Sequence, residues 1–253
     1  MNFLKFLIIF ILTTNFAFAK KIKNSCDEYP PQTITAVLID VSEPLDVPNN
    51  LAYQKISDRL IQETKRSTRF DIYKIGGSSS GVSGPIISLC IPTAPSENKL
   101  LKGEKFWANK IEKEFIDPLK STFIKLGNDV MGGKESPILE SIFTMSIKSF
   151  ISPNTSQNMP GRVVVISDFM QHSAILSFYN QSIPQYSDWR ATPSGRSWVR
   201  NFGKVDFEAI VIPRVGSSIL PKQGRDFFVT YTTENFSSLT WRDIATSISP
   251  SGK

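Results

Sequence analysis

Two short apolar runs limit what this chain can fold into. Thr33-Ile34-Thr35-Ala36-Val37-Leu38-Ile39-Asp40 and Arg162-Val163-Val164-Val165-Ile166-Ser167-Asp168 carry β-branched and apolar residues at consecutive positions. A strand with one wet face alternates, whereas a strand that is apolar throughout is covered on both faces. Both runs therefore read as central parallel strands with helices packed above and below. Both also end on an aspartate. A carboxylate at the tip of a buried strand must be satisfied by something, and such tips are where open α/β sheets hold their ligands.

The remaining segments fit the same frame. Asn49 or Asn50 is expected to cap a helix running to about Arg66, with Ala52, Ile56 and Leu60 on one face. Phe70 to Ile75 and Ile86 to Ile91 read as a hairpin across the glycine-serine loop Gly76 to Gly84, which puts one antiparallel strand at an edge. Phe106 to Leu126 has helical period, with a break and restart expected where Asp117 caps and Pro118 opens the second piece. Ser136 is the natural cap of a helix over Pro137 to Phe150. Asp188 to Phe202 reads as an interrupted helix and Asp206 to Ile212 as a strand. Lys222 to Asn235 fits both periods and is assigned to helix, and Ser238 to Ile248 to a last packed element. The expectation is a three-layer α/β sandwich: a mostly parallel central sheet, helices on both faces and one antiparallel edge strand. It forms one domain over residues 33–248, preceded by a segment at 20–32 and followed by a loose tail at 249–253.

The first residues speak to compartment. Lys5, the apolar run Phe6 to Leu12, the small-x-small pattern Ala17-Phe18-Ala19 and then Lys20-Lys21 read as a signal peptide over 1–19, cleaved after Ala19. The apolar run is shorter than the roughly 20 residues of a membrane-spanning helix, and no later segment reads as a span. No cysteine stands at the cleavage point, so no lipoprotein signal is expected. The chain is expected to be periplasmic or secreted. Cys26 and Cys90 are the two cysteines, both in the exported part, and an oxidising compartment implies that they pair. With a single histidine, His172, they do not make a tetrahedral zinc site. The net charge is +6, but Lys and Arg are interspersed with Asp and Glu. Without a basic stripe, nucleic acid is not an expected partner.

In such a fold Asp40, Ser42, Ser136 and Asp168 are expected to converge at the carboxyl end of the sheet. They are hard oxygen donors, suited to Mg²⁺, with Ca²⁺ or Mn²⁺ also compatible. At these residues the chain resembles the von Willebrand factor A-like family, also called integrin I-like. That family's metal-ion-dependent adhesion site has Asp-x-Ser-x-Ser after the first strand, a threonine from a Gly-Thr-Pro-like turn before a helix and an aspartate ending the fourth strand. Asp40 and Ser42 match the first two ligands, Ser136 with Pro137-Ile138 stands at the threonine position, and Asp168 matches the last acid. The similarity in element order extends over Thr33 to Ile248. Pro44 stands where the family has its third hydroxyl and Phe169 where it usually has glycine, so the site resembles degenerate members from bacterial envelopes. Glu43 is an auxiliary acid beside the gap, and Asp46 follows shortly. The resemblance implies a non-catalytic module that binds a protein partner in the bacterial envelope. A partner carboxylate would complete the shell of any bound metal.

Other readings use the same residues. Asp40, Glu43 and Asp168 would serve a Mg²⁺-dependent hydrolase of phosphoesterase type. A structural component of an export or conjugation system needs no ligand site at all. Asp40 and Ser42 would serve equally as turn residues, and Ser136 as a plain helix cap. Gly77-Ser78-Ser79-Ser80-Gly81 satisfies Gly-x-Ser-x-Gly, but a strand rather than a helix is expected after it, which is wrong for a nucleophile elbow. Asn154, Asn180 and Asn235 begin formal glycosylation sequons.

Overall fold

A computed structural model describes residues 25–75, 81–93, 102–129, 135–151, 158–179, 182–214 and 220–244. The expected signal peptide, the tip of the first hairpin, Gly132-Gly133, the first two sequons and the tail lie outside the described residues. Six strands form one sheet: β1 (Thr33–Asp40), β2 (Thr68–Ile75), β3 (Ile87–Cys90), β4 (Gly161–Ser167), β5 (Val205–Val211) and β6 (Ser238–Asp243). Their order is β3-β2-β1-β4-β5-β6. Every pairing is parallel except β2 with β3. The expected fold class is therefore present: a mostly parallel sheet with one antiparallel edge and helices on both faces.

The period-two rule sorts each central strand between two cores. Ile34, Ala36 and Leu38 of β1, Val163 and Val165 of β4, and Phe207 and Ala209 of β5 face a core closed by α5 (Ile138–Phe150) and α8 (Lys222–Asn235). Val37 and Ile39, Val164 and Ile166, and Ile210 face the other core, under α2 (Val47–Gln62) and α4 (Asp117–Asn128). This double burial is why β1 and β4 lack alternation in sequence.

The first neighbours of β1 in the sheet are β2 on one side and β4 on the other. The chain thus builds outward in one direction through β3, then returns to the centre and builds the other way. Between the carboxyl ends of β1 and β4 lies the resulting switch point, where the connections diverge and leave a crevice.

Several local expectations change. The cap of α2 is Asp46, whose carboxylate accepts from the Asn49 amide at 2.9 Å, and the helix stops at Gln62 rather than Arg66. Pro48, in the first turn, has no amide to satisfy and favours that earlier start. The helix α3 (Glu104–Ile111) does not break before Pro118. It runs through one π-helical turn, Glu112–Ile116, into α4, and Asp117 keeps helical torsions instead of capping. The wider turn lets the proline follow without ending the helix. The smaller helices are α1 (Ser25–Glu28), α6 (Tyr186–Ala191) and α7 (Pro193–Ser197). Cys26 of α1 is bonded to Cys90 at the end of β3. The Ser25 hydroxyl accepts from the Cys90 amide at 2.9 Å, which covers that edge of the sheet. No described helix is long and apolar enough to cross a membrane. Trp189 is buried, and Trp198 and Trp241 pack half-buried against the α5 side core. Asn235, first residue of the third sequon, is fully buried and bonded to Arg200 and Tyr231, so it is a structural residue and no glycan acceptor.

Candidate functional site at the carboxyl end of the sheet

Asp40 ends β1 on the α5 side and is completely buried. Its Oδ1 accepts from the Ser42 amide at 3.0 Å and the Ser42 hydroxyl at 2.6 Å. Its Oδ2 accepts from the hydroxyls of Ser136 at 3.1 Å and Ser167 at 2.8 Å. Three serines from three segments thus converge on one carboxylate. Each donates its hydrogen bond inward; the Ser167 oxygen in turn accepts from the Phe169 amide at 2.9 Å, which leaves the lone pairs of Ser42 and Ser136 for something else. Among the described residues no lysine or arginine forms an ion pair with this carboxylate.

The sequence predicts Ser136 as the cap of α5. Its hydroxyl instead goes to Asp40, and Pro137 occupies the cap position with no side-chain bond. The helix end is served from elsewhere: Gln171 Oε1 accepts from the Leu139 amide at 2.8 Å. Gln171 also donates to Glu140 at 3.0 Å, and the Ser173 hydroxyl bonds the other Glu140 oxygen. Ser136 and His172 exchange backbone hydrogen bonds of 2.8 and 2.9 Å. The loop after β4 is therefore fastened to the start of α5, and Ser136 and Asp168 are fixed relative to each other. Burial pushes the Glu140 carboxyl above its ordinary value, against the opposing pull of Ser173 and Gln171.

Asp168 follows β4 and is largely buried, and its Oδ1 accepts from the Met170 amide at 2.9 Å. Next to it, Phe169 has φ +61°, a conformation that is rare for a residue with a side chain. Its ring is fully buried, 5.2 Å from Phe228 and 4.9 Å from Trp241, measured between centroids. Packing holds the left-handed turn that glycine would enter freely.

Ser42, Glu43, Glu135, Ser136, Asp168, Met170, His172 and Tyr179 line a cleft of about 360 Å³. Three of the four candidate ligands reach its wall, while Asp40 lies beneath them. Glu43 is half-buried, and its Oε2 is enclosed without a hydrogen-bond partner among the described residues. Desolvation and the nearby Asp40 push its carboxyl up, opposed by Arg214. Asp46 is not at this wall, because its carboxylate caps α2. The His172 ring bonds Ser177 through Nδ1 at 2.9 Å and meets the Tyr179 ring edge-on. Burial first, then the charges of Asp168, Glu43 and Asp40, push the Tyr179 phenol up to about 12. The charges of three carboxylates thus reach the Tyr179 side of the cleft.

Sequence reasoning missed four contributors. Ser167 is two residues beyond Val165, so it shares the Asp40 face by strand period, a signal that was available. Gln171 and Tyr179 lie in a loop without periodicity. Arg214 follows β5 by three residues, is almost fully buried, and donates through its guanidinium to the backbone carbonyls of Asp40 and Glu43, the latter at 3.1 Å.

Among the described residues no three His, Cys, Asp or Glu side chains converge as a metal-binding group. A cation here would take a mixed hydroxyl and carboxylate shell. The donors suit one: Ser42, Ser136 and Asp168 supply hard oxygens, and the enclosed Glu43 oxygen gains a partner. Comparison with family models and with curated proteins returns no match.

Proposed function

We propose that this chain is a von Willebrand A-like, non-catalytic protein-binding module that works outside the cytoplasm. Its binding face is the carboxyl end of the sheet, and a divalent cation, Mg²⁺ by preference, sits in the cleft. Ser42, Ser136 and Asp168 hold the ion, and Glu43 supplements them where Pro44 removes a hydroxyl. Water or a partner carboxylate fills the positions left open. The observation that carries this reading is the Asp40 hub. A fully buried carboxylate orients three serine hydroxyls, and two of these turn their oxygens to a cleft that also holds Asp168 and Glu43. The Cys26–Cys90 bond is compatible with an oxidising compartment, and the basic-then-apolar start of the chain supports export to the bacterial envelope.

Calorimetric titration with Mg²⁺ tests the reading. The wild type is expected to bind and Asp168→Ala to lose the heat. Retained affinity in Asp168→Ala would remove the assigned site. Capture of an envelope protein by the wild type but not by Asp168→Ala, reversed by EDTA, would support partner recruitment through the ion. EDTA-sensitive phosphoesterase turnover lost in Asp168→Ala would replace the binding module with a hydrolase.

A further inference from the structure

The segment after β5 straps the site together. The Ile212 amide donates to the Ser167 carbonyl at 3.0 Å, and the Pro213 carbonyl accepts from the Asn49 side chain, in the first turn of α2, at 3.0 Å. Arg214 then reaches across more than half of the sequence. One guanidinium nitrogen donates to the Glu43 carbonyl at 3.1 Å and the other to the Asp40 carbonyl. Those two carbonyls bracket Ser42, whose amide and hydroxyl both bond Asp40 Oδ1. A rigid planar fork that holds both ends of a turn fixes the turn's shape, which a single flexible ammonium does not.

We infer that Arg214 is a positioning residue for the cleft. By bridging the carbonyls of Asp40 and Glu43 it keeps the Ser42 oxygen and the Glu43 carboxylate aimed at the ion. This rests on the cation reading above. The fork bonds the backbone of the turn while the Asp40 carboxylate bonds its serines, and the guanidinium charge also acts on the Glu43 carboxyl. The Asp40 carboxylate remains available to polarise the hydroxyls that face the cleft. Supporting contacts around a metal site act in this way on the ligands they hold.

Arg214→Lys tests the inference, since it keeps the charge and removes the fork. Two readouts are taken on wild type and variant: Mg²⁺ affinity by calorimetry, and amide hydrogen exchange by NMR. Leu38 and Val164, in β1 and β4, serve as controls for global folding. The Ser42 amide is expected to exchange about tenfold faster in Arg214→Lys, with the two controls unchanged. Mg²⁺ affinity is expected to fall about tenfold or more. Unchanged Ser42 protection overturns the inference, and so does unchanged affinity in a protein whose wild type binds Mg²⁺. A wild type that takes up no Mg²⁺ refutes the cation reading instead, and Ser42 exchange alone then decides whether the fork holds the turn. Should the lysine variant lose protection at Leu38 and Val164 as well, Arg214→Gln is read in the same two measurements.

Discussion

Glu208 and Asp40 are both buried carboxylates in one sheet, and they are satisfied in opposite ways. Glu208, in the middle of β5, is held by Arg59 at 2.8 Å, Arg242 at 3.0 Å and Arg162 at 3.6 Å. Asp40, at the end of β1, is held by serine hydroxyls and an amide. The first acid has its countercharge built into the chain. The second has its hydrogen bonds made but its charge uncompensated by direct contact, at the one place in the sheet where connections diverge. A structural acid inside a protein is generally paired with a cation, because an unpaired buried charge is costly. Asp40 is surrounded by neutral donors beside a cleft, and the nearby Arg214 guanidinium bonds its backbone carbonyl. The contrast separates a carboxylate that ties strands together from one that organises a site.

The sharpest way to break the comparison is to remove the paired acid. Glu208→Gln leaves three guanidinium groups facing one another, and unfolding by urea should show a loss of about 3 kcal/mol. Its Mg²⁺ titration should match the wild type, and a coupled loss of both would erase the distinction between the two acids. Asp40→Asn comes next. Placing an amide among three serine donors should lower stability by about 2 kcal/mol. Unlike the Glu208 variant it should also abolish any rise in melting temperature with added Mg²⁺, measured with EDTA as the reference. The smallest effect concerns Glu140, a further buried acid with neutral donors. Its carboxyl is raised in the folded state, so its contribution to stability is fully present below the ordinary glutamate range and is lost as pH rises through the raised value. Relative to Glu140→Gln, the wild type should lose stability across that window. Parallel melting curves from pH 4 upward would contradict the assignment.

Much of this frame is legible in the residues alone. The strands β1 and β4 declare themselves because burial on both faces demands unbroken apolar runs, and the assignment of 222–235 to helix agrees with α8. The cap of α2 is ambiguous in sequence because Asn49 and Asn50 are also good caps, and only the position of Pro48 favours Asp46. Ser136 illustrates a different difficulty. As a hydroxyl before Pro137 it has the composition of a helix cap, yet Asp40, distant in sequence, accepts its hydrogen bond. Arg214 could not be found by pattern at all. It is a lone basic residue after a proline, and its partners are backbone carbonyls, which every residue possesses. Motifs reveal side chains that act on a ligand directly. They do not reveal side chains that act on the main chain of another segment.

The bond between Cys26 and Cys90 divides the candidate site between two topological territories. The bridged positions are 64 apart in sequence, and the covalent loop encloses Asp40, Ser42 and Glu43. Ser136, Asp168 and Arg214 lie outside it. Closing a loop of that length restricts the unfolded chain by about 4 kcal/mol in the entropic picture. One half of the cleft therefore lies within a loop closed by a bond that thiol chemistry can cut, and the other half is held by hydrogen bonds and packing. Reduction would lift that restriction from the unfolded chain around the first half only, so two cysteines remote from the cleft contribute to the stability of the fold that brings its halves together.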